Sequence, residues 1–205
     1  MLTIHHLGLS QSERIIWLCE ELGIPYELIR YEREPSMAAP PAYKALHPVG
    51  TAPVITDGEL TLAETCAIVE YIARKHGGGR LIPGPEHPGF ADYLFWFHYA
   101  NGSILPAFMM DMTAKRMGAA PASSRSDIAF ALAEKRLGEA PYFAGEEFTA
   151  ADILMGFPLT RLRAFSQRDI STLPNIRAYL QRIGTRPAFQ AAMAKAEPNM
   201  PPKLD

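Results

Sequence analysis

The sequence has only two cysteines, Cys19 and Cys66, among 205 residues, and they form no Cys-x-x-Cys pair. That argues against a disulfide framework, a zinc ribbon or a dithiol redox centre, and each cysteine reads as a small core residue. The six histidines show no ligand spacing. His5 and His6 are adjacent, and neighbours on a strand point to opposite faces, so they cannot chelate one ion together. No metal is expected. An excess of positive charge is also missing: Lys and Arg total 20 against 22 for Asp and Glu. Nothing in that balance holds a polyanion by its phosphates, and nucleic acid is not an expected partner. No apolar run reaches membrane-spanning length, and the opening Met1-Leu2-Thr3-Ile4 carries no basic n-region, apolar h-region or cleavage site. A soluble cytoplasmic protein without a membrane partner is expected.

What is present suffices for a sizeable core in one large domain or two small ones. Leu2 to Leu7 reads as a strand. Ile15, Leu18, Cys19 and Leu22 have the three-and-four spacing of a one-faced helix that stops at Gly23, before Pro25, and "YELIRY" from Tyr26 to Tyr31 reads as a second strand. Strand, helix and strand with short connections predict a right-handed unit with parallel strands. A short helix is expected near residues 40–46. Pro53 to Ile55 and Leu60 to Leu62 then flank Asp57-Gly58, a hairpin signal, and a helix follows from about Glu64 to His76. Gly77-Gly78-Gly79 has no following Lys-Ser/Thr and comes after a helix, so it reads as a helix cap and hinge and not as a phosphate loop.

Residues 80–88, rich in proline and glycine, read as a linker. From residue 88 to 195 the periodicity is helical, with no hairpin signal. The predicted organisation is an α/β domain over 1–79 with the order βαβ-ββα, a linker over 80–88, and an all-helical bundle over 89–205. Within the latter, "FTAADI" is a helix-start signature, with Thr149 as cap, Asp152 in the box position and Phe148 against Ile153 as a staple.

One stretch concentrates the functional signal. In "HPVGTAPVITDGELTLAET" a proline stands directly against Val54 and Ile55 at a strand start. An X-Pro bond is cis at modest cost. In cis, Pro53 would turn the backbone N–H and C=O of Ala52 outward, as an unpaired edge for a peptide. Glu64 and Thr65 then open a helix whose free N–H groups suit a carboxylate. The loop "GLSQSER" brings Ser10 and Ser12 to the start of the first helix, a second place with unpaired donors. A small acidic thiol peptide fits that combination.

The order βαβββα with proline before the third strand, "SQSERIIWLCEELGIPYEL", "HPVGTAPVITDGELTLAETCAIVEYI", the helical second domain and the "FTAADI" box together resemble a cytosolic glutathione S-transferase with a thioredoxin-like first domain. "FHYANGSILP", residues 97–106, is similar to the first helix of the second domain in bacterial and fungal members, where Glu commonly stands at the place of Asn101. The resemblance implies that glutathione is the co-substrate and that Ala52 beside Pro53 pairs with its cysteinyl backbone. It implies that Glu64 and Thr65 hold the γ-glutamyl end. The serine class places its catalytic hydroxyl four residues before an arginine of the first helix, which gives Ser10, with Ser12 as the alternative. Where the family often has Lys or Gln two residues before the proline, this chain has Thr51, too short for the same reach. Lys44 and His47 are therefore candidates for the glycyl carboxylate. Tyr99 and Asn101 are candidates for the wall of the electrophile site, and a homodimer is implied.

Each residue also has a structural alternative. Ser10-Gln-Ser-Glu13 matches a capping box, so Ser10 would only cap the first helix. Glu64 would only favour a helix dipole, and Thr65 would be a plain cap. Two function classes follow: an enzyme that conjugates glutathione to small hydrophobic electrophiles or uses it to reduce peroxides, and a non-catalytic ligand-binding or assembly module on the same fold.

Overall fold

A computed structural model describes residues 1–119 and 124–205; the part of the helical expectation that falls on 120–123 lies outside the described residues. The chain forms two compact units, one of Met1–Arg80 with Arg186–Pro201 and one of Leu81–Thr185 with Pro202–Asp205.

The first unit is built on a sheet in the order β2-β1-β3-β4, from β1 (Leu2–Leu7), β2 (Glu27–Tyr31), β3 (Val54–Asp57) and β4 (Leu60–Ala63). β2 runs parallel to β1, and β3 and β4 are antiparallel to their neighbours. Between β1 and β2 lies α1 (Glu13–Leu22), whose Ile15, Leu18, Cys19 and Leu22 are buried. It ends at Gly23, which takes φ 65° while the Ile24 N–H returns to the Cys19 carbonyl, the left-handed cap that glycine adopts at no steric cost. Burial pushes the Cys19 thiol up to about 12, which makes it an inert core group.

Several strand boundaries differ from those expected. Pro53 lies outside the ladder, because β3 begins at Val54, opposite His5 and Ala63. The hairpin turn is Gly58-Glu59 and not Asp57-Gly58: Asp57 still pairs with Leu60, and Gly58 supplies the positive φ of 64°. β4 leads into α3 (Thr65–Lys75), with Ile68, Val69 and Ile72 buried. At its end, a Cβ on Gly77 would sit 2.8 Å from the Ala73 carbonyl oxygen and 2.9 Å from Leu22 Cδ1, so glycine is required by close approach.

Asp57 ties the hairpin to the end of α3. Its Oδ2 lies 2.7 Å from His76 Nε2, 2.9 Å from the Tyr71 hydroxyl and 3.4 Å from Lys75 Nζ. The bond from His76, with those from Tyr71 and Lys75, outweighs burial and holds the carboxyl at about 2, below the ordinary value of 3.8. A carboxyl that binds protons less readily folded than unfolded contributes stability above its unfolded pKa and loses it as pH falls through the folded one. The stabilisation by Asp57 is therefore in place above about pH 4 and fades toward about pH 2. Asp57→Asn should cost about 1 kcal/mol at neutral pH and flatten that part of the acid slope. Denaturant titrations at neutral pH and about pH 3 check this, and equal slopes for the two proteins would refute it.

The final helix departs from the predicted division. α10 (Pro187–Ala196) was expected with the helical domain over 89–205, yet residues 186–201 group with the first unit. The reason is packing and charge. Phe189 meets Trp17 edge-on with ring centroids 4.8 Å apart, Arg186 makes a two-pronged pair with Glu21 at 2.6 and 2.7 Å, and Lys195 reaches Glu20 at 2.5 Å.

The second unit is helical: α4 (Phe90–Tyr99), α5 (Leu105–Arg116), α6 (Arg125–Glu139), α7 (Ala150–Phe157), α8 (Arg163–Ser166) and α9 (Pro174–Gly184), with π-helical turns over Ala100–Ile104 and Pro158–Leu162. Its core holds Trp96 against Phe143 and Phe143 against Tyr179, at 4.7 and 5.1 Å. The start of α7 forms the expected box: Thr149 Oγ1 accepts the Ala151 N–H, and the Asp152 carboxylate accepts the N–H groups of Thr149 and Phe143 at 2.9 and 3.0 Å. Complete burial raises the Asp152 carboxyl to about 6, and those bonds act against the rise. Among the described residues no helix is long and apolar enough to cross a membrane.

Candidate functional site

The antiparallel register sets the site. With His5 opposite Val54, and Val54 opposite Ala63, the residues after β1, before β3 and after β4 all emerge at one end of the sheet. These are the loop of Ser10 and Ser12, the pair Ala52-Pro53, and the pair Glu64-Thr65. The Ala52–Pro53 bond is cis. Pro53 is buried, Thr51 exposed, and Ala52 half-buried against the cluster of Leu7, Tyr43, Val54 and Ala63.

Glu64 is exposed and holds φ 78°, a backbone region that only glycine enters freely. Thr65 is the first residue of α3 and is buried. Its hydroxyl donates to Gln11 Oε1 at 3.3 Å, and the same oxygen accepts from the Arg14 guanidinium, so the starts of α1 and α3 are cross-linked through Gln11. Arg14 is buried; desolvation lowers its guanidinium to about 10, opposed by Cys66, Glu13 and Glu64. It stays cationic at neutral pH.

Ser10 does not form the capping box its sequence allows. Ser12 occupies the cap position of α1, without a capping bond from its side chain, and the Glu13 N–H points to the backbone carbonyl of Ser10. The Ser10 hydroxyl instead lies 2.7 Å from Ser12 Oγ and accepts the Ser12 N–H at 3.3 Å. The two serines read from sequence as alternatives are thus hydrogen-bonded partners. Ser12 Oγ in turn lies 2.8 Å from His6 Nδ1, and His6 Nε2 lies 3.2 Å from Glu197 Oε1. Sequence reasoning missed both His6 and Glu197. Strand alternation puts His6 on the face shared by Leu2 and Ile4, where a buried imidazole needs partners. That requirement was the available signal. Its partner, 191 residues away, was not legible.

The loop itself is held on several sides. The Gly8 N–H donates to the Tyr31 carbonyl at 3.0 Å. Arg33 donates from Nε to the Gly8 carbonyl at 2.7 Å and from Nη2 to the Leu9 carbonyl at 3.3 Å, and the Leu9 N–H donates to Glu197.

Lys44 is exposed at the end of the short helix α2 (Pro41–Lys44), its stem beside Gly50. His47 is half-buried and accepts the Val49 N–H at Nδ1, 3.2 Å away, which puts the proton of the neutral ring on Nε2. Tyr99 and Asn101 belong to the second unit. Tyr99 stacks on Phe95 at 5.1 Å and lines a cleft of about 330 Å³ with Pro106, Met110 and Ile128. Burial raises its phenol. Asn101 is half-buried in the π-helical turn after α4.

A four-stranded thioredoxin-like unit with a cis-proline edge, joined to an all-helical unit, defines the architecture of a glutathione transferase. Comparison with known proteins agrees along nearly the whole chain. Residues 10–75 match the model of the glutathione S-transferase N-terminal domain, and residues 102–187 match that of the C-terminal domain. Glutathione S-transferase 3 of Schizosaccharomyces pombe is 32% identical over 97% of this chain and 89% of its own length. A crystal structure of a glutathione S-transferase from Actinobacillus pleuropneumoniae is 32% identical with a TM-score of 0.85, covering 100% of this chain and 95% of that one. The theta class enzyme of Xanthomonas axonopodis pv. citri, solved with glutathione bound, is 28% identical with a TM-score of 0.71, over 93% of this chain and 96% of that one. The chain belongs to the glutathione S-transferase family, whose members take glutathione as co-substrate.

Proposed function

We propose that this glutathione transferase conjugates glutathione to small hydrophobic electrophiles and that the Ser10 hydroxyl activates the thiol. The observation that carries this is the state of Ser10. Its hydroxyl accepts the Ser12 N–H and lies 2.7 Å from Ser12 Oγ at the start of α1, and the residue keeps 6% exposure at the end of the sheet shared with Ala52-Pro53 and Glu64-Thr65. The thiolate is the nucleophile, and a hydroxyl at a helix start is suited to stabilise it.

In the same proposal the cysteinyl backbone pairs with Ala52 beside Pro53. The γ-glutamyl ammonium meets Glu64, and its carboxylate meets the start of α3 at Thr65. Thr51 is too short to reach the glycyl carboxylate, and Lys44 and the Nε2–H of His47 are the donors offered to it. Tyr99 and Asn101 contribute to the electrophile wall, and the protein acts as a homodimer. Reduction of organic peroxides is the second reaction open to the same thiolate, and a non-catalytic carrier is the alternative class.

A turnover panel of aryl halides, epoxides, haloalkanes and organic peroxides with glutathione tests this reading. Turnover with at least one electrophile class is expected, at rates in the common range of about 1 to 1,000 per second. Glutathione binding by calorimetry without turnover of any member would favour the carrier.

A further inference from the structure

We propose that Ser12, His6 and Glu197 form a buried relay that takes the thiol proton away from Ser10, leaving it on His6 beside the Glu197 carboxylate. The proposal rests on the reading of Ser10 as thiol activator and adds three positioning residues to it. The observation is a continuous chain of short contacts: Ser10 Oγ to Ser12 Oγ 2.7 Å, Ser12 Oγ to His6 Nδ1 2.8 Å, and His6 Nε2 to Glu197 Oε1 3.2 Å. Its middle is enclosed: exposure is 6% at Ser10, none at Ser12 and His6, and 8% at Glu197. A hydroxyl that reaches the site is thus wired to an enclosed imidazole.

The polarity of the chain follows from its inner end. A carboxylate only accepts hydrogen bonds, and Glu197 Oε1 already receives the Leu9 N–H, so His6 Nε2 must donate to it. In the neutral ring Nδ1 is then the acceptor, and the single proton of the Ser12 hydroxyl goes to it. The Leu7 carbonyl, 3.5 Å from Ser12 Oγ, competes poorly. Ser12 Oγ therefore accepts from Ser10 O–H, and the remaining lone pair of Ser10 faces the site. In this resting polarity Ser10 is an acceptor for a thiol S–H and not yet a donor to a thiolate.

Proton transfer reverses the bonds from the thiol to Nδ1 and leaves Nε2–H donating to Glu197. The S–H proton passes to Ser10 Oγ, the Ser10 proton to Ser12 Oγ, and the Ser12 proton to His6 Nδ1. No atom is gained or lost: one thiol and one neutral imidazole become one thiolate and one imidazolium. Afterwards Ser10 O–H donates to the sulfur, Ser12 O–H to Ser10, and His6 Nδ1–H to Ser12. The thiolate thus receives a hydrogen bond from a row polarised by a cation at its far end. Glu197 balances that cation, as a buried charge requires.

Other elements hold the carboxylate in place. Arg30 of β2 donates from Nη1 to the carbonyls of Lys195 and Ala196 at the end of α10, and its Nη2 lies 3.9 Å from Glu197 Oε2. Other charged groups nearby include Arg33, which binds the Gly8 and Leu9 carbonyls, Glu32, whose Oε2 approaches Gly8, and the buried Glu13 next to Ser12. On α1, Arg14 is turned to Gln11 at the cross-link with α3.

The test is the ultraviolet titration of the thiolate of enzyme-bound glutathione, with affinity measured by calorimetry. Glu197→Gln keeps an acceptor for Leu9 and His6 but removes the balancing charge. Its titration should move up by about one pH unit, about tenfold less thiolate below the midpoint, with affinity within about twofold of wild type. Ser12→Ala interrupts the row and should shift the titration in the same direction, and Glu197→Asp should restore part of the loss. If Glu197→Gln does not fold by circular dichroism, Ser12→Ala carries the test. A folded Glu197→Gln or Ser12→Ala whose titration overlays the wild type overturns the relay. In that event Ser10→Ala separates the two failures: a shifted titration leaves Ser10 as activator without a relay, whereas an unshifted one removes Ser10 as well.

Discussion

Ser10→Ala should raise the pKa of bound glutathione by more than a unit and slow conjugation at least about tenfold near pH 6.5, with a smaller effect on glutathione affinity. A free thiol near pKa about 8.5 is only a few per cent thiolate at neutral pH. Bringing it down by about two units requires about 2.7 kcal/mol of preference for the charged form. A hydroxyl bonded to an anion supplies about 1.5 to 3 kcal/mol and a helix start about 0.3 to 1, so the hydroxyl is the larger contributor. Ser10→Thr keeps the hydroxyl and should retain part of the rate. A purely structural serine makes a different forecast: a lower melting temperature, near-normal turnover in the cold and an unchanged pH profile. Rate measured against pH for Ser10→Ala distinguishes the two, and a profile that overlays the wild type would sink the assignment.

The double variant Glu64→Ala, Thr65→Ala should lose glutathione affinity by more than about a hundredfold while the fold survives. Two charge-assisted hydrogen bonds at about 1.5 to 3 kcal/mol each make that magnitude reachable. Alanine at position 64 meets the same positive φ as glutamate, so the substitution adds no new backbone strain there. Thr65→Ala also removes the hydroxyl from Gln11, and Glu64→Gln alone is the control, since it alters charge and leaves that cross-link intact. Calorimetric titration with glutathione decides the matter. Unchanged affinity in the double variant would mean that the γ-glutamyl end is held elsewhere.

Where residues near in sequence make the structure, the sequence was readable. The apolar spacing of Ile15, Leu18, Cys19 and Leu22 with Gly23 after it specified α1 and its end, and Thr149 with Asp152 specified the start of α7. The hairpin moved by one residue because Asp57 had a cross-strand partner in Leu60 that the turn signal does not encode. Ser10 could not be separated from a capping serine, since the pattern Ser-x-x-Glu is the same in both roles. Only the backbone shows the Glu13 N–H going to a carbonyl. Residues 186–201 carry the helical periodicity of the segment before them, and nothing local says that Phe189 belongs against Trp17. The inner half of the hydroxyl row was hidden for the same reason, because no spacing rule links a histidine in the first strand to a glutamate near the other end of the chain.

The return of α10 to the first unit makes that unit discontinuous along the polypeptide, with residues 81–185 inserted into it. A ribosome that has released residues 1–80 has therefore not released a complete sheet domain. Trp17 and the carboxylates of Glu20 and Glu21 wait for partners at Phe189, Lys195 and Arg186, and His6 waits for Glu197. Closing so large a loop carries a chain-entropy cost that grows only slowly with length, yet these contacts cannot form until residues 81–185 have been synthesised. On the relay proposed above, a nascent chain or a form shortened before residue 197 would hold Ser10 without the carboxylate that balances a charged His6. Arrival of residues 186–201, more than assembly of the sheet, would then bring the thiol site to its full acidity.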